Sequence, residues 1–310
     1  MGDQGDQDRF RHETSEAPAG APDLWFYESF QGVASFGLRV KRVLCELKSS
    51  YQHIAVYETY QHGRLLALDG LVMVTELDET AYHEMIAHVP MQTLPKARRA
   101  AVIGGGDGGT VRELARYPGL EEITLVEIDE QVVWACREHL PSVASGLDDK
   151  RVSLKFQDGA RFIKDAAPGS LDLIIVDGTD PVGAGKALFT EEFYHHAARA
   201  IHDQGVLAAQ TESPLYHGPL VKDIFTKVGR AFKNNFMYWA VIPSYPGSIW
   251  TFCYASHTRH PLDHFSFHAL DPKKLGYYTP ELHQAAFAPP ALALDCLPQG
   301  HPQKEGGPRL

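Results

Sequence analysis

Two short stretches put carboxylates where the chain turns. The first, Gly104-Gly105-Gly106-Asp107-Gly108-Gly109, follows the apolar run 100–103 and opens a helical pattern. Glycines there let the backbone approach a ligand and aim amide donors at it from a helix N-terminus. Asp107 sets a fixed negative charge among them. The second, Asp177-Gly178-Thr179-Asp180-Pro181-Val182-Gly183, ends the apolar run 171–176 and carries two carboxylates on a loop stiffened by Pro181. Paired carboxylates serve a metal ion, acid–base transfer or the grip on an amine cation. A Mg²⁺ or Ca²⁺ ion asks for more oxygen ligands than this neighbourhood supplies, so no metal and no cofactor is expected.

Glu127 ends the next apolar run, about twenty residues after the glycine turn, where a carboxylate accepts both hydroxyls of a ribose. A third run ends in Asp158-Gly159. Alone that pair is a turn; here its carboxylate is placed to accept from an exocyclic adenine amine, and its glycine permits close packing. Three successive strand ends bearing the glycine turn, Glu127 and Asp158 converge on one crevice and point to adenosine.

Asp107 narrows the ligand. It would repel the carboxylate of S-adenosylmethionine, whereas a decarboxylated adenosyl sulfonium leaves only an ammonium, which it attracts. Asp is also a favoured N-cap, and that structural use stands beside the functional one. The Asp177 loop suits the partner reaction. An alkyl amine has a pKa near the roughly 10.4 of lysine and no lone pair until a proton leaves. A carboxylate that holds the cation and takes its proton frees the nitrogen for in-line attack on carbon next to sulfonium.

The elements that must position these residues are legible as runs. Strands are expected at 100–103, 123–127, 152–156, 171–176 and 206–210 with helices between them, and an antiparallel edge hairpin at 236–242 and 250–255 after a helix at 221–231. This is an α/β, Rossmann-like (methyltransferase-type) doubly wound sheet. Before it, short β-branched and aromatic runs at 42–48, 53–59, 64–68 and 71–75, broken by Gly63 and Asp69-Gly70, give a small N-terminal antiparallel β-domain, joined through a helix at 78–88. The expected divisions are a disordered tail 1–22, the β-domain 23–77, the catalytic domain 78–288 and a C-terminal tail 289–310, an arm that gives way to a disordered end.

Composition excludes other classes. Lys+Arg of 29 against Asp+Glu of 39 gives a net charge of −10 over 310 residues, which disfavours phosphate backbones and acidic membranes, so neither nucleic acid nor membrane is expected as a partner. The four cysteines form no CxxC pair or metal spacing, and no run approaches the roughly 20 apolar residues of a membrane span. A cytoplasmic address is expected.

Together, GGGDGG (104–109), LVEID (125–129), DGTDPVG (177–183), Tyr82-His83-Glu84-Met85 and Ala209-Gln210-Thr211-Glu212-Ser213-Pro214 resemble the spermidine synthases, polyamine aminopropyltransferases, particularly bacterial ones; the likeness runs from about residue 24 to 289. The resemblance implies transfer of a 3-aminopropyl group from decarboxylated S-adenosylmethionine, a co-substrate, to putrescine, giving spermidine and methylthioadenosine, or to cadaverine, agmatine or spermidine. It implies that Gln52, Glu127, Asp158, Gly159 and the turn Gly104, Gly105 and Gly106 hold the nucleoside, and that Asp107 grips the aminopropyl ammonium. Asp177 is the implied acid–base residue, with Tyr82 and Asp180 beside it. His83, Gly178, Thr179, Asp180, Gln210 and Tyr245 line the implied amine channel, with Trp25 as a lid. Met73, Gly178 and Ala184 depart from the commoner Gln, Ser and Pro and put acceptor choice in question. For the distal ammonium, Glu212 and Asp223 are the candidates. Open edges of the β-domain together with the resemblance imply a homodimer or homotetramer. The rivals are a methyltransferase, against which Asp107 speaks, and a non-catalytic polyamine-binding protein, which needs no sulfonium site.

Overall fold

In the computed structural model the described residues are 20, 23–30, 32–179 and 183–304. Asp180 lies outside them, as do nearly all of the expected N-terminal tail and residues 305–310. Ala184 is described in its backbone alone.

The N-terminal sheet has five antiparallel strands in sequence order: β1 (Leu24–Phe30), β2 (Ala34–Lys48), β3 (His53–Thr59), β4 (Arg64–Leu68) and β5 (Leu71–Thr75). β4 and β5 are joined by Asp69-Gly70, both at positive φ (51° and 82°), the two-residue turn whose twist matches a hairpin. β1 and the first half of β2 were not among the expected strands. In β1 the inward positions are Phe26 and Glu28, so a buried carboxylate interrupts the apolar alternation that marks a strand. Glu28 Oε2 accepts from the Val72 amide of β5 at 2.8 Å, tying the first strand to the last.

Helix α1 (Glu79–Met91) leads to the second sheet and is buried on almost every face. It continues through Pro90, past the expected end at 88. Proline costs its own amide hydrogen bond and crowds the carbonyl of the preceding turn, and one a residue from the C-terminus confines both costs to the last turn.

The second sheet has seven strands: β6 (Arg99–Gly104), β7 (Glu122–Glu127), β8 (Val152–Phe156), β9 (Leu171–Asp177), β10 (Ile201–Glu212), β11 (Asn234–Val241) and β12 (Ile249–Ser256). Their spatial order is β11-β12-β10-β9-β6-β7-β8, with β12 antiparallel between β10 and β11 and the others parallel, so the expected doubly wound sheet and its edge hairpin are both present. Strand order reverses between β6 and β9, where Gly104 stands opposite Asp177. At such a switch point the loops part and leave a crevice beyond the carboxyl ends of the strands.

Side chains alternate between two cores. Val102, Ile175 and Ala208 face α1, while Ile103, Ile174 and Leu207 face the other layer, which includes Phe193 of α6 (Glu191–Ala200) and Phe225 of α7 (Gly218–Ala231). Each of the larger of these side chains contributes about 1.5–3 kcal/mol by burial. Near the C-terminus, Gln303 exchanges two hydrogen bonds with the Met237 backbone and Leu297 is fully buried, so the chain docks as an arm as far as residue 304. No helix among the described residues is long and apolar enough to cross a membrane.

Candidate active site

One cavity of about 430 Å³ opens at the switch point and takes walls from both sheets. Gly104, Gly105, Gly106, Asp107, Glu127, Asp158, Gly159, Asp177, Gly178 and Thr179 reach it from the carboxyl ends of the parallel strands. Gln52 enters from the β2–β3 turn, Tyr82 and His83 from α1, Gln210 and Glu212 from β10, and Tyr245 from the loop before β12. Trp25 lies outside the wall, stacked on Tyr27 and donating to Asp23. Asp223 also lies outside it, paired with Lys227 along α7. Of the two candidates for a distal ammonium, Glu212 alone faces the cavity.

The glycines are there because backbone crowds backbone. Gly104 sits at φ 81°, and a Cβ on it would come 2.3 Å from the Asp177 carbonyl oxygen. A Cβ on Gly159 would meet Ile103 at 2.3 Å, so that helix starts directly over the strand end.

At one end of the cavity Glu127 accepts from the Asp129 amide at 2.9 Å. Burial outweighs these backbone donors and pushes its carboxyl up to about 7. Gln52 and Ser49 both donate to Asp129 Oδ2, at 3.0 and 2.6 Å, which ties the β-domain turn to the Glu127 end of the cavity. Asp158 caps its helix by accepting from the Arg161 amide at 3.0 Å while lining the cavity, so cap and ligand face coexist.

In the middle stand Asp107 and Asp177, whose surroundings push their proton affinities apart. Asp107 accepts from the Gly109 amide at 2.7 Å and faces His83 Nε2 at 3.1 Å. Burial works to neutralise it, yet His83 and that amide hold it ionised, below the usual carboxylate range. Asp177 accepts from the Tyr82 hydroxyl (2.6 Å) and from Thr110 (2.7 Å). Burial first and Asp107 second push its carboxyl upward. Two nearby carboxyls with divergent affinities are the arrangement in which one stays a charge anchor and the other takes a proton. His83, Asp107 and Asp177 bring ligand atoms within 4.8 Å of one another, by distance alone enough for a metal ion. But His83 has a carboxylate on each ring nitrogen, with Glu79 Oε2 at 2.6 Å from Nδ1, so in this arrangement both nitrogens act as donors and a cation must displace the Nε2 proton to reach its lone pair. The grouping suits an organic cation.

At the far end Glu28, Glu212 and His217 meet. Glu212 is buried in the left-handed region at φ 81°, a strain a non-glycine residue bears only where its surroundings hold it. Its amide donates to Gln210 Oε1 (3.1 Å), its carbonyl accepts from Thr251 (2.7 Å), and its carboxylate lies 3.2 Å from His217. Burial pushes Glu28 up to about 7. Tyr245 closes this end, donating to the Met73 carbonyl at 2.6 Å and packing edge-on against Tyr82 and Trp250. The Trp250 indole N–H is buried without a partner in a side chain that lines the cavity.

Sequence reasoning did not single out Glu28, Glu79, Thr110, Arg112, Asp129, His217 or Trp250. Glu79 carried a usable signal, since it stands four residues before His83 on a helix and so on the same face. Glu28, Thr110 and Arg112 act across elements far apart in the chain, where no local spacing shows them, while Asp129, His217 and Trp250 have near neighbours in sequence (Glu127, Glu212 and Tyr245) at spacings that mark no motif.

Fold and cavity define an α/β protein with a carboxylate-lined cavity at its switch point. Comparison with known proteins places it further. Residues 79–264 match the spermine/spermidine synthase domain, and residues 24–76 the spermidine synthase tetramerisation domain. The chain is 43% identical over 281 residues to the polyamine aminopropyltransferase of Clostridium botulinum (strain Alaska E43 / Type E3), covering 89% of this chain and 98% of that protein. It is 42% identical over 274 residues to that of Moorella thermoacetica, covering 88% and 96%. Among solved structures, spermidine synthase in complex with the transition state analogue AdoDATO aligns with a TM-score of 0.84 at 36% identity, over 88% of this chain and 94% of that one. Spermidine synthase from Thermotoga maritima aligns with a TM-score of 0.82 at 35% identity over the same shares. The chain belongs to the spermidine synthase family, the polyamine aminopropyltransferases.

Proposed function

We propose that the enzyme transfers the 3-aminopropyl group of decarboxylated S-adenosylmethionine to putrescine, giving spermidine and methylthioadenosine. The observation that carries this reading is the pair Asp107 and Asp177 at the switch point, one held ionised and the other disposed to take a proton. The adenosine end is assigned to Gln52, Glu127, Asp158 and Gly159, with Glu127 accepting the ribose hydroxyls and Gly104, Gly105 and Gly106 allowing the sulfonium close to the backbone. Asp107 holds the aminopropyl ammonium. Asp177 binds the attacking amine as ammonium and takes its proton, with Tyr82 and Thr110 fixing the carboxylate. The neutral nitrogen then displaces the thioether in line, forming the new C–N bond as the C–S bond breaks, and the sulfonium charge disappears with it. His83, Gly178, Thr179, Gln210 and Tyr245 shape the channel, and the resemblance adds Asp180. The acceptor's second ammonium is assigned to Glu28 and Glu212, where two carboxylates meet a buried wall.

Putrescine is favoured over longer polyamines because Tyr245 and Trp250 close the far end. Exposed Leu24, Trp25, Tyr27 and Val43 on β1 and β2 support self-association as a dimer or tetramer. Light scattering is then expected to give a mass well above the 34.4 kDa of one chain; a monomer at micromolar concentration would contradict it. The reaction reading is tested by offering intact and decarboxylated S-adenosylmethionine side by side with putrescine. Methylthioadenosine is expected from the decarboxylated donor alone, and a methylated amine from the intact one would overturn the assignment of Asp107.

A further inference from the structure

The buried charges behind Asp107 form a chain that the reaction as described does not use. His83 is 1% exposed and holds Glu79 on Nδ1 at 2.6 Å and Asp107 on Nε2 at 3.1 Å. Arg112 of α2 (Gly109–Ala115) donates to both oxygens of Glu79, at 2.9 and 2.8 Å, and to Glu113 at 2.8 Å, so Glu79 is fixed and stays charged. Gly109 lies against the imidazole so closely that a Cβ there would come within 2.3 Å of it. The charged and titratable groups facing His83 are Glu79 and Tyr82 from α1, Asp107 from the glycine turn, Asp177 from β9, and Arg112 behind Glu79.

We propose that the aminopropyl ammonium takes the place of a proton: Glu79 and Arg112 act as positioning residues that keep His83 as the cation on Asp107 in the donor-free protein, and docking of the ammonium on Asp107 releases one proton from His83 to solvent. The inference rests on the reading above, in which the donor brings an ammonium to Asp107. With His83 protonated, Glu79 is paired with Arg112, and Asp107 already has a cation in contact at Nε2. A further ammonium docked on Asp107 would stand beside the imidazolium in a buried place, where like charges at contact distance strongly disfavour each other. If Nε2–H leaves, the neutral ring keeps Nδ1–H on Glu79 and turns its Nε2 lone pair to the cavity. The ammonium then donates to Asp107 and to Nε2 together, and the net charge of the group is unchanged. Burial alone would disfavour the imidazolium, but Asp107 and Glu79 push His83 up to about 10, so its proton is resident at neutral pH before the donor arrives. Methylthioadenosine carries no ammonium and leaves His83 as it is.

The test is isothermal titration calorimetry at pH 8.5, where Glu127 is already ionised, in buffers of different ionisation enthalpy. The ligands are methylthioadenosine and the neutral thioether analogue of the donor that retains the aminopropyl ammonium. The analogue is expected to release about one proton per site and methylthioadenosine close to none. In His83→Gln the difference disappears. In Glu79→Gln it shrinks, while methylthioadenosine affinity stays within about twofold and reports an intact nucleoside site. Equal proton release by the two ligands overturns the proposal, and so does full release persisting in His83→Gln, which would make Asp177 the source. Tighter binding of the analogue than of methylthioadenosine upholds Asp107 as the ammonium site whatever the proton count, so the two readings fail separately.

Discussion

In the proposed reaction turnover rests on Asp177, and its surroundings set the terms of that role. A carboxyl pushed upward by burial and by Asp107 binds a proton more readily than an exposed one, which favours taking it from an ammonium. Asp177→Asn keeps the size and the Thr110 contact but removes the base. Turnover is expected to fall roughly a hundredfold or more with methylthioadenosine affinity little changed; near-normal turnover would refute the role. Glu127 gives a second prediction. Burial holds it near 7 in the nucleoside-free protein, and ribose hydroxyls donating to it favour the charged form, so its pKa falls on binding and a proton is released. Affinity for methylthioadenosine should therefore weaken as pH drops below 7, approaching roughly tenfold per unit, and level off above it. Glu127→Gln should flatten the profile; flat wild-type affinity from pH 5.5 to 7 would contradict the account. At this scale Asp107, Asp158 and Asp177 were legible because each adjoins a glycine at or just past a strand end, and Glu127 because it ends the strand that follows the glycine turn. Glu28 was not, because a carboxylate facing the interior of a strand breaks the pattern by which strands are recognised.

The elements work by close approach of backbone. Gly104 ends β6 directly opposite Asp177, and its left-handed backbone costs about 1–2 kcal/mol for any residue with a Cβ. Gly104→Ala adds a clash with the Asp177 carbonyl, so a loss of more than about 2 kcal/mol in unfolding free energy is expected, with turnover falling as Asp177 shifts. Wild-type melting and activity would show that the switch point tolerates a wider gap. The parallel strands were legible as apolar runs of the right length, and the edge hairpin as two runs parted by a proline and glycine turn. The extent of α1 was not, because Pro90 reads as a stop and only the packing of the finished molecule shows that the helix continues. The docking of α1 against residues 276–278 was equally invisible: Glu84 accepts three backbone amides there at 2.7–2.8 Å, from a segment 192 to 194 residues away.

The whole molecule completes the site by bringing two sheets together. The seven-stranded sheet brings Asp107, Glu127, Asp158 and Asp177 to the cavity, and the five-stranded one supplies Gln52, Met73 and Glu28. The doubly wound order followed from alternating runs; the meeting of Glu28 with Glu212 did not, since 184 residues of chain separate them and tertiary packing alone unites them. In the proposed reading acceptor choice is a property of the assembled cavity, with one amine at Asp177 and the other between the sheets. The most direct test is a competition assay with decarboxylated S-adenosylmethionine and putrescine, cadaverine, agmatine and spermidine together, each product resolved by mass. Spermidine is predicted as the main product, formed in equal amount with methylthioadenosine, and Glu212→Gln is predicted to narrow putrescine's lead at least tenfold. A preference for spermidine as acceptor, or an unchanged lead in Glu212→Gln, would contradict the placement of the second ammonium and with it the account of the cavity.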